Sequence, residues 1–335
     1  MVGCVPKRKK ATWLVMPWLL MAIARTGWSA EGGVNLNPAA WGSDHVGRPV
    51  PEYITGDECL FCHRFTIGPG WPKNRHQSTI RPIEREPDVL ALVKASGPHE
   101  SFAPEIEFVL GRTNQMRLLK RSKTYGHLDL LSASIQPSRP GGQLRLTGTG
   151  APHWDLQTFG NQCAGCHATG VDARTGAFSA ISIECFSCHG DVDINHTKDT
   201  SRILLAQKRL DPARVVTSIC ASCHIRSGRS RSSARPFPDN FVPGDNLFRN
   251  LEADLSEAAL TKATPIDRHV LQNVRDVVVR GREEMTCLSC HRVHHGSSGR
   301  HQKQPRGEIC WNCHQRESET LTVNWPDRHS PVCKY

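Results

Sequence analysis

Twelve of the fourteen cysteines occur in six copies of one pattern, Cys-x-x-Cys-His. Two thiols separated by two residues can add to the two vinyl groups at one edge of a haem, and the histidine that follows can bind the iron. In chain order, motifs 1 to 6 are Cys59, Cys62 and His63; Cys163, Cys166 and His167; Cys185, Cys188 and His189; Cys220, Cys223 and His224; Cys287, Cys290 and His291; and Cys310, Cys313 and His314. The pattern predicts six covalently attached c-type haem groups, each holding one iron.

Zinc ribbons and disulfide frameworks also use paired cysteines. Neither of them requires a histidine directly after every second cysteine, whereas all six pairs in this chain have one. The spacing therefore favours haem attachment over both alternatives. The two remaining cysteines are Cys4, near the start of the chain, and Cys333, near its end.

Each iron needs a sixth ligand, for which histidine and methionine are the usual side chains. Beyond the first thirty residues only two methionines occur, Met116 and Met285, but eleven histidines lie outside the motifs. Histidine on both faces of the haem is therefore predicted for most irons, with low reduction potentials. The candidate sixth ligands are His76, His196, His294, His295 and His329.

The other six histidines are His45, His99, His127, His153, His269 and His301. A surface or hydrogen-bonding role is an open alternative for each of them. Two or more must nevertheless bind iron if every iron has six ligands.

His294 and His295 follow His291 by three and four residues, so on a helix they would share its face. A side chain placed there cannot reach the opposite side of the haem that His291 binds. We therefore predict that one of the two binds the iron of a neighbouring haem.

The start of the chain has the pattern of a cleaved export signal, assigned to residues 1–30. Basic residues at 7–10 precede an apolar run at 11–24, and small residues lead to Ala30. The run is shorter than the roughly 20 residues that a membrane-spanning helix needs. We expect a periplasmic or extracellular protein with no stable membrane span after cleavage.

The formal net charge is +10, but five basic residues lie in the predicted signal, so its removal leaves +5. Each haem adds two propionates, which bring the loaded protein close to neutrality. Nucleic acid is therefore excluded as a predicted partner.

Residues 31–160 contain motif 1 and are predicted to form an N-terminal region, and residues 161–335 a five-haem region. Short strands are predicted at 106–110, 128–131 and 144–146, in a module that is either a docking surface or a structural spacer. Helices are predicted at 254–260 and 269–280, and a solvated loop at 226–238. The predicted fold is mainly α with much irregular structure, haem-cored, with a small β-rich insertion.

The region from motif 2 to motif 5 resembles a known group. The likeness rests on Cys-Ala-Gly-Cys-His-Ala-Thr-Gly at 163–170, Glu-Cys-Phe-Ser-Cys-His-Gly at 184–190, His196, Phe-Val-Pro-Gly-Asp at 241–245, and motif 5 with the histidines behind it. The chain is similar there to the multihaem c-type cytochromes, in particular the group of the tetrahaem electron acceptor of hydroxylamine-oxidising bacteria. The resemblance implies that such histidines bind the irons of other haems. Six motifs and an extra histidine depart from that group.

The leading prediction is electron transfer through the six haems, by a carrier rather than an enzyme. Its redox partners would be a membrane donor of the quinol-oxidase type or a terminal reductase. One alternative is a multihaem nitrite or hydroxylamine oxidoreductase with one open haem, although the chain has no Cys-x-x-Cys-Lys motif. The other is a subunit of a conducting cytochrome filament, and an oligomer is compatible with either role.

Overall fold

The fold is taken from a computed structural model. It describes residues 44–51, 56–112, 115–137, 144–148, 150–192, 194–199, 204–205, 212–282, 285–295, 301 and 303. All of them belong to one compact unit, Gly33–Tyr335. Among these residues no helix has the length and apolar character that crossing a membrane requires.

A six-stranded antiparallel sheet occupies the region between motifs 1 and 2. Its strands are β1 (Ile80–Pro82), β2 (Phe108–Leu110), β3 (Met116–Arg121), β4 (Leu128–Pro137), β5 (Leu144–Thr147) and β6 (Trp154–Asp155). The order across the sheet is β1-β2-β3-β4-β5, and β6 also pairs with β4. The strands predicted at 106–110, 128–131 and 144–146 are thus confirmed in β2, β4 and β5.

One face of this sheet is covered by helix α2 (Pro87–Lys94). Val89 and Val93 of the helix are buried in one cluster with Val109, Leu118 and other strand residues. Because successive side chains of a strand point to opposite faces, alternate residues are left for the second face. The sheet therefore has an apolar core of its own on the α2 side.

The second face packs against the segment that carries motif 2. Phe108, Leu110 and Leu130 from the strands are clustered with Phe159 and Ala164, which flank Cys163. A π-helix at Phe159–Cys163 leads directly into the motif. Both faces of the sheet are thus packed against other elements, and one of them supports motif 2. This packing favours a structural role for the module over a docking surface.

The remaining helices are mostly short, and several of them carry motifs. They are α1 (Gly56–His63), α3 (Ala164–His167), α4 (Phe186–His189), α5 (Pro212–His224), α6 (Leu247–Asn250), α7 (Glu257–Lys262), α8 (Pro265–Val278) and α9 (Cys287–Cys290). Single 3-10 segments lie at Trp71–Lys73, Ile83–Arg85, Gly97–Glu105 and Ile194–Thr197. Two-residue strands β7 (Ala168–Thr169) and β8 (Ala180–Ile181) pair with each other, as do β9 (Arg229–Ser230) and β10 (Leu251–Glu252).

The longest two helices, α5 and α8, pack together around motif 4. Ala221 and Ile225, at the end of α5, are buried with Leu271, Val274 and other residues of α6 to α8. Thr264 starts α8 by accepting a hydrogen bond from the backbone N–H of Asp267, and Pro265 follows it at the first helical position. The helices predicted at 254–260 and 269–280 are confirmed, with boundaries shifted by a few residues.

The loop predicted at 226–238 is exposed at its centre, residues 231–234, but it is not solvated throughout. Ser230 and Phe237 are buried, and β9 lies within the loop. Ser232 and Ser233 donate hydrogen bonds from their hydroxyls to Asp239, at 2.5 and 2.7 Å. The polar side chains are thus used to fold the loop onto the protein. The proposed division at residue 160 stays a prediction.

Candidate haem-attachment sites

Five motifs lie within the described residues, each in the last turn of a helix. Helices α1, α3, α4 and α5 end at the motif histidine, and α9 ends one residue before it. A helical turn brings both thiols and the following histidine to one side of the backbone, as attachment to a single haem requires. The five motifs contain only free cysteines among the described residues. Motif 6 (Cys310, Cys313 and His314) and His329 lie outside the described residues, as do the predicted signal and Cys333.

Glycine is needed at two positions beside these helices. A methyl group at Gly165, between the thiols of motif 2, would lie 2.2 Å from the ring of Phe237, which is buried. Gly190 ends α4 directly after His189 with a φ of 67°, and Pro243 packs against it. Only glycine adopts such a conformation at low cost.

Four of the motif histidines face a histidine from outside the motifs. The ring centroids are 6.1 Å apart for His63 and His196, and 5.8 Å apart for His189 and His294. In both of these pairs the ring planes are nearly parallel, at 11°.

The other two pairs have tilted rings. His224 faces His76 at 6.3 Å with 74° between the ring planes. His291 faces His269 at 6.4 Å and 59°.

This separation matches what two imidazoles on one iron require. A metal lies about 2 Å from a coordinating imidazole nitrogen, and the ring centroid lies about 1.1 Å further back, so two opposed rings have centroids roughly 6 Å apart. Unbridged rings stack or meet at edges over a wider range of about 4.5–7 Å. The four separations are compatible with a haem iron between each pair, and His76 also stacks on His301 with centroids 5.0 Å apart.

The facing histidines come from segments that follow other motifs. His196 follows motif 3 but faces motif 1, and His294 follows motif 5 but faces motif 3. His76 follows motif 1 but faces motif 4. His294 thus faces a motif other than its own, but the helix assumed in that prediction is not formed, because α9 ends at Cys290 and His291 is extended. The ring of His295 is exposed, and its backbone carbonyl accepts a hydrogen bond from Asn74 at 2.9 Å.

His269 was left open between iron binding and an ordinary role, and the structure places it opposite His291. Helix α8 presents it, one turn before Asn273, whose side chain donates to the carbonyl of His269 at 2.7 Å. The sequence signal was present but weak, because a histidine in the first turns of an amphipathic helix is usual at a solvated surface.

Burial keeps several of these imidazoles neutral. It lowers the pKa of His76 to about 4, helped by the nearby His301 and His224. Burial also lowers the pKa of His189 to about 4, with smaller contributions from His294 and His63. The pKa values of His224 and His294 are lowered for the same main reason. A neutral imidazole is the form that binds a metal.

His167 of motif 2 differs from the other described motif histidines. Burial lowers its pKa, and its Nδ1 is buried without a hydrogen-bond partner. Among the described residues no histidine ring lies opposite it at the separation of the other four pairs.

Thiols of different motifs are in contact. Cys185 donates a hydrogen bond to Cys59, which lowers the pKa of the Cys59 thiol to about 7. The thiol of Cys166 contacts that of Cys223. Cys220 and Cys287 form a third such pair. These contacts join the attachment points of motifs 1 and 3, 2 and 4, and 4 and 5.

Comparison with known protein families supports the haem attachment that these motifs indicate. The family described as "Doubled CXXCH motif" matches residues 278–319, which include motifs 5 and 6, and doubled motifs of this kind indicate covalent c-type haem binding. The match supports a multihaem c-type cytochrome.

Among solved structures, the chain is similar to the "Undecaheme cytochrome from S-layer of Carboxydothermus ferrireducens". The two share 17% identity with a TM-score of 0.46, over 85% of this chain and 46% of that one. This chain thus matches less than half the length of that protein. None of the curated proteins matches the sequence.

Proposed function

We propose that this chain is an exported electron-transfer cytochrome that carries six c-type haems. At least four of its irons are held between two histidines. The observation that carries the proposal is the facing of His63, His189, His224 and His291 by a second histidine at 5.8–6.4 Å. An iron with both axial positions filled has no place for a substrate, so such a site favours electron transfer over catalysis.

The bound haems would supply one-electron changes at iron, and the chain's own residues prepare the sites. The motif thiols would anchor the group, and one imidazole would bind the iron from each side. The crossed origin of the facing histidines ties motifs 1, 3, 4 and 5 to one another. Loss of one such histidine would therefore loosen two haem sites together.

The contacts between motif thiols support electron passage along the protein. Each contact places an attachment edge of one haem beside that of another. Motif 4 contacts both motif 2 and motif 5, while motif 1 contacts motif 3. The contacts define two sets of neighbouring sites, motifs 1 and 3 and motifs 2, 4 and 5, and we infer that electrons pass between the sites within each set.

Two measurements on the purified holoprotein test the proposal. The intact mass must exceed that of the cleaved chain by six haem groups, and the oxidised protein must show low-spin ferric signals for at least four irons. A chain without covalent haem, or one in which most irons are high-spin, would overturn it.

A second candidate function rests on His167. Because no described histidine faces it, the iron of motif 2 is the site at which a small ligand would bind, as in a nitrite or hydroxylamine oxidoreductase. Addition of nitrite, hydroxylamine or cyanide distinguishes the two functions. A high-spin signal that these ligands remove favours the enzyme, and a spectrum unchanged by all three favours the carrier alone.

The setting and partners follow from the same proposal. An exported carrier would exchange electrons with redox proteins, either a membrane donor or a terminal reductase. His329 and motif 6 would complete the set of haem sites. A role in a filament is tested by the size of the holoprotein in solution.

A further inference from the structure

Asn74 is a buried amide that lies two residues before His76. The residue is 0% exposed, although asparagine is mostly found at protein surfaces. It belongs to none of the haem motifs, and an amide is not one of the usual ligands of haem iron. A buried amide costs free energy unless its polar atoms are hydrogen-bonded, so the partners of Asn74 show which segments it holds together.

The oxygen of this amide fixes the segment that leads to His76. Oδ1 accepts a hydrogen bond from the backbone N–H of His76 at 2.9 Å. This bond closes an Asx turn, in which an asparagine side chain binds the backbone two residues on. The backbone of Asn74 is held as well, because its N–H donates to the carbonyl of Trp71 at 2.8 Å and its carbonyl accepts from the hydroxyl of Ser78 at 2.8 Å. His76 therefore faces His224 of motif 4 from a turn that Asn74 closes.

The nitrogen of the same amide holds a segment that is far away in the sequence. Nδ2 donates to the carbonyl of Val293 at 2.5 Å and to the carbonyl of His295 at 2.9 Å. An amide nitrogen has two N–H donors, so both of them are used. The two carbonyls belong to the residues on either side of His294, which faces His189 of motif 3.

We propose that Asn74 is a positioning residue for the sixth ligands of two irons, those of motifs 3 and 4. The inference rests on the proposed haem binding and goes beyond it, because it assigns the placement of His76 and His294 to one side chain outside the motifs. A histidine bound to a metal depends on hydrogen-bonded neighbours for its orientation. In this protein the amide acts through the backbone of both ligand segments, so its loss should affect both irons.

Two variants separate the roles of the amide oxygen and the amide nitrogen. Asn74→Ala removes both, whereas Asn74→Asp keeps an oxygen that can accept from His76 and removes the nitrogen that donates to Val293 and His295. The oxidised holoproteins are compared by electron paramagnetic resonance. The low-spin signals of motifs 3 and 4 are identified by their loss in His294→Ala and His76→Ala, respectively.

We expect Asn74→Ala to shift or remove the signals of both motif 3 and motif 4. Asn74→Asp should shift only the signal of motif 3, because a carboxylate oxygen facing two carbonyls repels them, while the bond to His76 is retained. The low-spin signals of motifs 1 and 5 should stay unchanged in both variants. A general loss of stability would not divide the signals in this way.

Asn240→Asp is the matched control. Asn240 is also buried, its Oδ1 accepts from the backbone N–H of Ala173 at 2.6 Å, and its Nδ2 donates to the carbonyl of Arg48 at 2.5 Å. It therefore connects two segments in the same manner as Asn74, but neither Ala173 nor Arg48 adjoins a histidine that faces a motif. The control should lower the melting temperature and leave every low-spin signal in place.

Unchanged signals of motifs 3 and 4 in a folded Asn74→Ala protein would overturn the proposal, and so would a change of the same signals in Asn240→Asp. If Asn74→Ala does not fold, Asn74→Asp decides, and any result other than a change confined to motif 3 contradicts the proposal. The intact mass keeps this test separate from the proposed function. A protein with six haems and unmoved signals contradicts only the role of Asn74, whereas a protein that never carried haems contradicts the proposed function itself.

Discussion

The imidazole of His294 faces that of His189 with ring centroids 5.8 Å apart, although the two residues belong to segments of different motifs. The neighbouring His295 has an exposed ring and contributes a backbone carbonyl to Asn74. Two adjacent histidines are thus placed in different environments, and only one of them is positioned to bind an iron.

Replacement of His294 by alanine should convert one haem from low-spin to high-spin, because the iron of motif 3 would lose its sixth ligand. His295→Ala is the matched control and should leave the spectrum unchanged. Electron paramagnetic resonance of the oxidised holoproteins measures both. The assignment fails if the His295 variant loses the low-spin signal and the His294 variant keeps it.

His269→Ala should also remove one low-spin signal, and the lost signal should belong to a species with tilted imidazole planes, since His269 and His291 differ by 59°. The relative orientation of axial imidazoles changes the electronic structure of ferric iron, so parallel and tilted pairs have distinct signals. His99→Ala, on the 3-10 segment at Gly97–Glu105, is the control. Retention of every low-spin signal in the His269 variant would contradict the assignment.

Gly165→Ala should destabilise the site of motif 2, because the added methyl group would collide with the buried ring of Phe237. Overpacking of this kind costs about 1–3 kcal/mol in the free energy of unfolding. Gly160→Ala is the control in the same segment, since a methyl group there has an ordinary contact at 3.6 Å. Thermal unfolding and the intact mass of both variants check the prediction. Equal stability of the two variants would show that Phe237 moves aside freely.

Glu184 should make the protein less stable as the pH rises. Burial, and then the charge of Asp57, raise the pKa of this half-buried carboxyl group. A raised pKa in the folded state means that the associated stability is present below the unfolded value and is lost as pH rises through the folded value. Glu184→Gln should therefore raise the melting temperature at pH 7 and have no advantage at acidic pH. A lower melting temperature of the variant at pH 7 would show that the carboxylate is stabilised by its surroundings.

The sequence indicated the attachment motifs more directly than their three-dimensional arrangement. The motif spacing is local, because two thiols and a histidine in one helical turn need no information from elsewhere in the chain. The strands β2, β4 and β5 could also be predicted, since short apolar runs between glycine and proline residues indicate strands.

The histidine pairs were harder to predict because they depend on contacts between residues that are far apart in the sequence. His76 is separated from His224 by all six strands of the sheet and by motifs 2 and 3, so no local pattern relates them. His269 had the pattern of a solvated helix residue, and only the packing of α8 beside motif 5 brings it opposite His291. The loop at 226–238 was judged by its polar composition, which does not show that Asp239 accepts hydrogen bonds from Ser232 and Ser233.

The most direct test of the central claim is a quantitative electron paramagnetic resonance spectrum of the oxidised holoprotein, integrated against its haem content. We expect low-spin ferric signals from at least four haems in two classes, one with near-parallel and one with tilted imidazole planes. Fewer than four low-spin haems, in a protein whose mass shows all six attached, would contradict it.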